Sequence, residues 1–292
     1  MMQKMNRNEF YEFVRDQIRN HLPEGFSEIT ISDVTSSRTN YKGLTAKKPG
    51  QSVSVSPVVN LDMFFEQYSN GIDIDQILDD MVQIATKTNC DCVGSISSYI
   101  FDWEKVKERL FVTATNLMKV STTVYEQVAG DLVLIIRVMI NNDEGLSSAV
   151  VTKQLLDKWN VESEDAFHCA KVNTSRILGV KYIDLEKQSE TITGEQTGAK
   201  MLVVTNDHVC LGGAVVFLPG IASIVAQKIG GDFYIVPSSI DETLCCQAAP
   251  EVDTEVLKAT IKHVNNEVIN PLNILSYKLY KYDSSSNRFE EV

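Results

Sequence analysis

No run of this sequence reaches the roughly 20 apolar residues that a membrane-spanning helix requires. The two most apolar stretches fall short. Residues 132–140 are few and include Arg137, and residues 214–226 are broken by Pro219 and Gly220. The opening MMQKMNRNEFYEF has no apolar core of the kind a secretory signal carries. Positive charge is also scarce: 27 basic residues stand against 39 acidic ones, for a net charge of −12. That balance excludes general affinity for a phosphate backbone, which needs clustered Lys and Arg. The acidic residues are interleaved with basic ones and form no long run, so a DNA-like surface is not expected either. Arg38, Lys42, Lys47 and Lys48 make one small basic spot, which reads as a solvated face.

Catalytic signatures are missing too. The four histidines, His21, His168, His208 and His263, are far apart and form no H-E-x-x-H. No G-x-S-x-G elbow occurs. Gly212-Gly213, Gly230-Gly231 and Gly194 make neither a G-x-G-x-x-G nor a Walker loop, so no nucleotide cofactor is implied. Of the six cysteines, Cys90 and Cys92 have C-x-C spacing but lack the second ligand pair of a zinc site. Cys245 and Cys246 are adjacent, and in a strand they point to opposite faces. His168 and Cys169 would point about 100° apart on a helix, so they do not form a nucleophile and base. No metal site is expected, and the cysteines read as reduced thiols of a cytoplasmic protein.

What remains is 43% hydrophobic and 23% charged over 292 residues. That is an ordinary globular composition. Phe10, Phe13, Val14 and Ile18 predict a helix over 8–20. Alternation predicts strands at 28–34, 41–47 and 52–58. Asn60 and Asp73 read as N-caps of two following helices, the second burying Ile74, Ile77, Leu78, Met81 and Ala85. Further on, 102–109 reads as helix, and 110–115 and 131–140 as strands, the latter buried. Asn141 to Gly145 forms a turn. Residues 148–152 fit a return strand, and 152–160 fit a helix start. Ser163 reads as the N-cap of a helix to about Asn173. Residues 186–200 read as a loop.

The most informative block lies at 200–246. Residues 201–206 and 213–218 read as a hairpin around Leu211-Gly212-Gly213. Pro219 suits the first turn of a helix that ends at Gly230-Gly231. Strands are predicted at 232–236 and 244–247. A helix over 252–269 would turn Val256, Leu257, Thr260, Ile261 and Val264 inward. Residues 279–283 and 287–291 fit a terminal hairpin.

Gly213-Ala214, Pro219-Gly220, the run Gly231 to Ile235, Pro237-Ser238-Ser239, Ile274-Leu275-Ser276 and Tyr280 carry a resemblance. Gly43-Leu44, Asn60-Leu61-Asp62, Tyr68, Gly71, Trp159 and Asn173-Thr174 add to it. In these residues the chain resembles an uncharacterised family of intracellular proteins from Gram-positive anaerobes, domain of unknown function 5688. At the turn after Pro-Ser-Ser-Ile, where that pattern has a histidine, this chain has Asp241. The resemblance implies a shared fold and no particular activity.

One neighbourhood offers candidate chemistry. Asp232, Ser238, Ser239, Asp241 and Glu242 flank one strand end, and His208 lies nearby in Asn206-Asp207-His208. Serine hydroxyls and paired carboxylates there suit an anion site or an acid–base pair. The competing reading is a rigid turn, with Pro237 fixing φ and the serines bonding the turn's own backbone.

The expectation is therefore an α+β protein of two lobes, mainly antiparallel sheets with helices packed on one face. The lobes would span 1–95 and 96–292. The leading functional reading is a non-catalytic cytoplasmic interaction or accessory protein that takes another protein along its edge strands. It would bind neither membrane nor nucleic acid and would use no cofactor. The alternative is a hydrolase-like enzyme with its site at 206–208 and 232–242.

Overall fold

A computed structural model describes residues 4–35, 40–49, 57–86, 99–120, 123–141, 147–185, 200–237 and 239–292. The fold is α+β with mainly antiparallel sheets. It divides into two compact units, Met1–Ile100 and Phe101–Val292. The strand expected over 52–58, the turn at 142–145, the loop over 186–199 and Arg38, Cys90, Cys92, Gly194 and Ser238 lie wholly or mostly outside the described residues.

In the first unit, helix α1 (Arg7–Gln17) opens on a capping box. The Asn6 side chain accepts the Glu9 N–H at 3.1 Å, and the Glu9 carboxylate accepts the Asn6 N–H at 2.8 Å. Strands β1 (Glu28–Thr35), β2 (Asn40–Lys47) and β3 (Val59–Asn60) form an antiparallel sheet in that order. Asn60 and Asp73 cap helices α2 (Leu61–Ser69) and α3 (Ile74–Thr86). Phe10, Val14 and Ile18 of the N-terminal helical segment pack with Leu44 and Ala46 of β2 and with Leu61, Ile77, Leu78 and Met81. Burying each large side chain in this core contributes about 1.5–3 kcal/mol.

The second unit holds two sheets. Helix α4 (Trp103–Val106) leads into β4 (Leu110–Asn116), followed by β5 (Tyr125–Ala129), β6 (Leu132–Asn141) and β7 (Ser147–Val150). Strand β6 is central, pairing β4 on one side and β5 and β7 on the other. Helices α5 (Lys153–Trp159) and α6 (Ser163–Leu178) follow, and α6 packs on β4 and β6. Glu162 is the N-cap of α6, one residue before the serine expected there, and the helix continues to Leu178.

The second sheet runs β13-β12-β10-β11-β9-β8. Its strands are β8 (Lys181–Asp184), β9 (Met201–Thr205), β10 (Phe233–Val236), β11 (Thr243–Gln247), β12 (Tyr280–Asp283) and β13 (Arg288–Glu291). Helix α7 (Ile221–Ile229) ends at Gly230, whose φ is 99°. That is the left-handed cap that glycine allows. Helix α8 (Thr254–Glu267) lays Ile261 against Val236 and Leu279. Phe233 packs on Tyr282 in the neighbouring strand, and the Tyr282 hydroxyl lies 3.2 Å from Ser223 of α7.

Three local expectations are corrected. Residues 213–218 do not return as a strand; Gly212–Phe217 is a buried 3₁₀ helix that touches β4 of one sheet and β9 and β11 of the other. A short, wholly apolar run does not by itself distinguish strand from buried helix. Pro219 lies outside α7, because Gly220, at φ 79°, is the N-cap. The inward stripe of α8 is also rotated. Val256 is 60% exposed and Thr260 faces solvent, while Ile261 and Asn265 are buried.

Candidate functional site

The candidate residues fall into two groups at opposite ends of β10. Register pairs Val236 with Leu244 and Phe233 with Gln247. Ser239 and Asp241 thus occupy the turn beyond Val236, and Asp232 precedes Phe233. The whole length of β10 therefore separates the two groups.

Among the described residues, the hydrogen bonds of Asp241 all run to Thr205, Leu211, Gly212 and Ser239. Ser239 Oγ accepts the Asp241 N–H at 3.0 Å, an ST-type turn bond. Asp241 Oδ1 accepts the Leu211 N–H at 2.9 Å. Its backbone carbonyl accepts from the Thr205 hydroxyl at 2.7 Å and from the Gly212 N–H at 3.1 Å. Leu211 itself has a left-handed φ of 56°, held by this ring of bonds.

Gly212 and Gly213 make the approach possible. A Cβ on Gly212 would lie 2.6 Å from the Asp241 carbonyl oxygen and 2.8 Å from the Asn206 nitrogen; one on Gly213 would lie 2.9 Å from the carbonyl oxygens of Ser239 and Ile240. Backbone at those distances has no flexible end to move aside.

Asn206 is fully buried. Its Oδ1 accepts the N–H groups of His208 at 3.0 Å and Cys210 at 3.4 Å, and its Nδ2 donates to the Cys210 carbonyl at 2.7 Å. This fixes residues 206–210 as a loop that leads into the 3₁₀ helix, where a hairpin around Leu211-Gly212-Gly213 was expected. His208 and Asp207 are exposed. Among the described residues, no hydrogen bond or ion pair joins the His208 ring to Asp232, Asp241 or Glu242.

At the far end of β10, Asp232 accepts from the N–H and hydroxyl of Ser284 at 3.0 and 2.7 Å and pairs with Lys281 at 3.0 Å. The Ser284 bonds, with Lys281, hold its carboxyl below the usual range, because both favour the charged form. Glu242 is half-buried beside Asp241.

A second polar cluster was not singled out by sequence. Asp131, at the head of β6, accepts from Ser276 at 2.7 Å, from Asn116 at 2.8 Å and from the Tyr280 hydroxyl. Burial and then the Asp131 carboxylate push the Tyr280 phenol well above 10, since both disfavour a phenolate. Ser276 also accepts the Lys278 N–H at 3.1 Å, and Asn265 donates to the Ser276 carbonyl at 2.9 Å. The only local signal for Asp131 was a lone carboxylate opening an apolar run. Its partners lie up to 149 residues away.

The Cys245 and Cys246 thiols are free and buried in β11. Burial raises both, which makes them poor nucleophiles. Cys169 is half-buried and His168 exposed. Among the described residues, no group of three or more His, Cys, Asp or Glu is placed to hold a metal ion, and no helix is long and apolar enough to cross a membrane.

Fold and site together define an α+β protein whose polar clusters fasten loops to strand ends. The chain belongs to a family of unknown function, DUF5688, whose model matches residues 7–284. No curated protein and no solved structure matches it.

Proposed function

We propose that this chain is a non-catalytic interaction protein of the cytoplasm that takes an extended segment of a partner protein on strand β1. The observation that carries this reading is a contrast between two edge strands. In β4, the Val112 N–H is taken at 2.9 Å by the hydroxyl of Thr174 from α6, so that edge is covered. Strand β1 is eight residues long, contains no proline and, among the described residues, pairs only with β2.

An open strand of that length is a template for strand addition. Its exposed residues, Glu28, Thr30, Ser32 and Asp33, are polar, while Ile29 and Ile31 pack on the core. A partner strand of alternating pattern would continue both faces. The free, buried thiols of Cys245 and Cys246 suit a reducing compartment. The split of the carboxylates between the two ends of β10 counts against the hydrolase alternative, because acid–base chemistry needs its groups within reach of one reacting atom.

The test is native mass spectrometry of the protein gently purified from its source, followed by amide hydrogen exchange on any complex found. A bound protein that slows exchange across residues 28–34 is the expected result. A complex that leaves β1 amides unprotected, or a bound small molecule or metal near 206–242, would overturn the reading.

A further inference from the structure

The sequence of β1 is complementary to itself in one register. Ile29 and Ile31 pack on the core, while Glu28, Thr30 and Ser32 alternate with them and are exposed. Asp33 falls on the side of the two isoleucines and pairs with Lys42 of β2 at 2.7 Å. Two identical strands related by a two-fold axis pair antiparallel and isologously. An axis through a residue, rather than between two, keeps both core faces on one side, because side chains alternate. It also brings together the N–H and C=O groups that both strands turn away from β2.

Asp33 selects among the possible axes. With the axis at Thr30, Ile29 of each copy stands opposite Ile31 of the other, Glu28 stands opposite Ser32, and no like charges meet. An axis at Ile31, Ser32 or Asp33 sets Asp33 opposite Ile29, Ile31 or itself, which presses a carboxylate against apolar side chains or another carboxylate. An axis at Ile29 or Val34 leaves only residues 28–30 or 33–35 of the strand paired. The Thr30 axis also continues the rows of the sheet. Within one chain, Ala46 lies beside Ile29, Leu44 beside Ile31 and Thr45 beside Thr30. Across two copies the core side therefore carries the apolar row Ala46-Ile29-Ile31-Leu44 twice, and the exposed side carries a row of threonines. Cross-strand pairs of β-branched residues favour a sheet.

We propose that a second copy of this chain occupies the β1 edge, pairing β1 with β1 about a two-fold axis at Thr30 and joining two three-stranded sheets into one. The inference rests on the strand-addition reading of β1 and names the resting occupant of that edge, which a partner segment displaces. The overlap is short, so the dimer is weak and forms as concentration rises.

Sedimentation velocity of the full-length chain over about a hundredfold range of concentration reads the dimer. Thr30→Lys sets two ammonium groups directly opposite each other at the axis and should weaken the dimer about fivefold. Ser32→Lys sets a lysine opposite each Glu28 and should tighten it about fivefold, an advantage that shrinks as salt is added. Amide exchange across residues 28–32 of the parent should slow as the dimer forms.

Both positions are exposed, and melting curves check that the variants fold. If Thr30→Lys does not, Thr30→Cys replaces it, and mild oxidation should join two copies at that position, as read by peptide mass spectrometry. The proposal is overturned if the parent stays monomeric throughout, or if it dimerises and neither lysine variant shifts the equilibrium. A monomer whose β1 amides are protected by a different protein overturns it and leaves strand addition in place. Amides of β1 that neither a second copy nor a partner protects overturn both.

Discussion

The hydroxyl of Ser276 donates to the carboxylate of Asp131 at 2.7 Å across 145 residues of chain. The same carboxylate accepts from Asn116 and Tyr280, so one acid ties the start of β6 to the end of β4 and to the approach to β12. Asp131→Ala would remove the shared acceptor of the Ser276 and Tyr280 hydroxyls, which lie 3.3 Å apart and would be left with each other. Hydrogen bonds to a charged group contribute about 1.5–3 kcal/mol each, so a loss of roughly 3 kcal/mol is expected in urea unfolding. A change below about 0.5 kcal/mol would mean that water replaces the carboxylate at little cost.

Thr174 is buried, and its hydroxyl serves the edge of β4. Thr174→Val keeps the shape and removes the acceptor. The Val112 N–H would then be buried without a partner, at a cost of about 1–3 kcal/mol. Faster exchange of that single amide, with the rest of β4 unchanged, is the specific signature.

Gly213→Ala forces a Cβ to 2.9 Å from two backbone carbonyl oxygens. Overpacking of a rigid interior costs about 1–3 kcal/mol and sometimes more. A lowered melting temperature is expected. A variant as stable as the parent would show that the 3₁₀ segment can shift away from the Ser239–Asp241 turn.

Asn206→Ala removes three loop bonds from a fully buried side chain. A loss of about 2 kcal/mol is expected. Ser239→Ala removes one turn bond and should cost about 1 kcal/mol. Should either variant keep its stability while losing a bound ligand or partner, the loop is a recognition element rather than a fastening.

Stability should fall at both pH extremes. Burial and then Asp62 raise the Tyr11 phenol from 10.0 to about 12, and Tyr280 moves in the same direction. The unfolded chain releases these protons first, so the contribution is complete below about pH 10 and is lost as pH rises through about 12. Ser285 and Ser286 hold Asp283 at about 2, below 3.8, and Asp232 is also lowered. Their contribution is present above about pH 3.8 and is lost as pH falls towards about 2. Phenolate absorbance of the folded chain checks the alkaline limb. Titration of all ten tyrosines near the ordinary phenol value would contradict it.

The N-terminal helix, the Asn60 and Asp73 caps, the apolar run of β6, the Gly230 terminus and the terminal hairpin were legible in the sequence. Each is set by neighbours within one or two turns. Strand β8 was missed because its four residues carry no period long enough to read. The candidate residues 232–242 were grouped because they are close in sequence, yet β10 holds Asp232 and Asp241 at its opposite ends.

The sequence by itself determined the α+β class and most helix and strand positions, because side-chain periodicity and backbone caps act locally. Only the tertiary structure decided which polar groups meet. Asp131 finds Ser276, and Thr174 finds Val112, through sheet order and helix packing, which spacing along the chain does not encode. It also decided that residues 212–217 coil rather than extend, since that depends on the carbonyls of Ser239, Ile240 and Asp241 crossing close above Gly212 and Gly213.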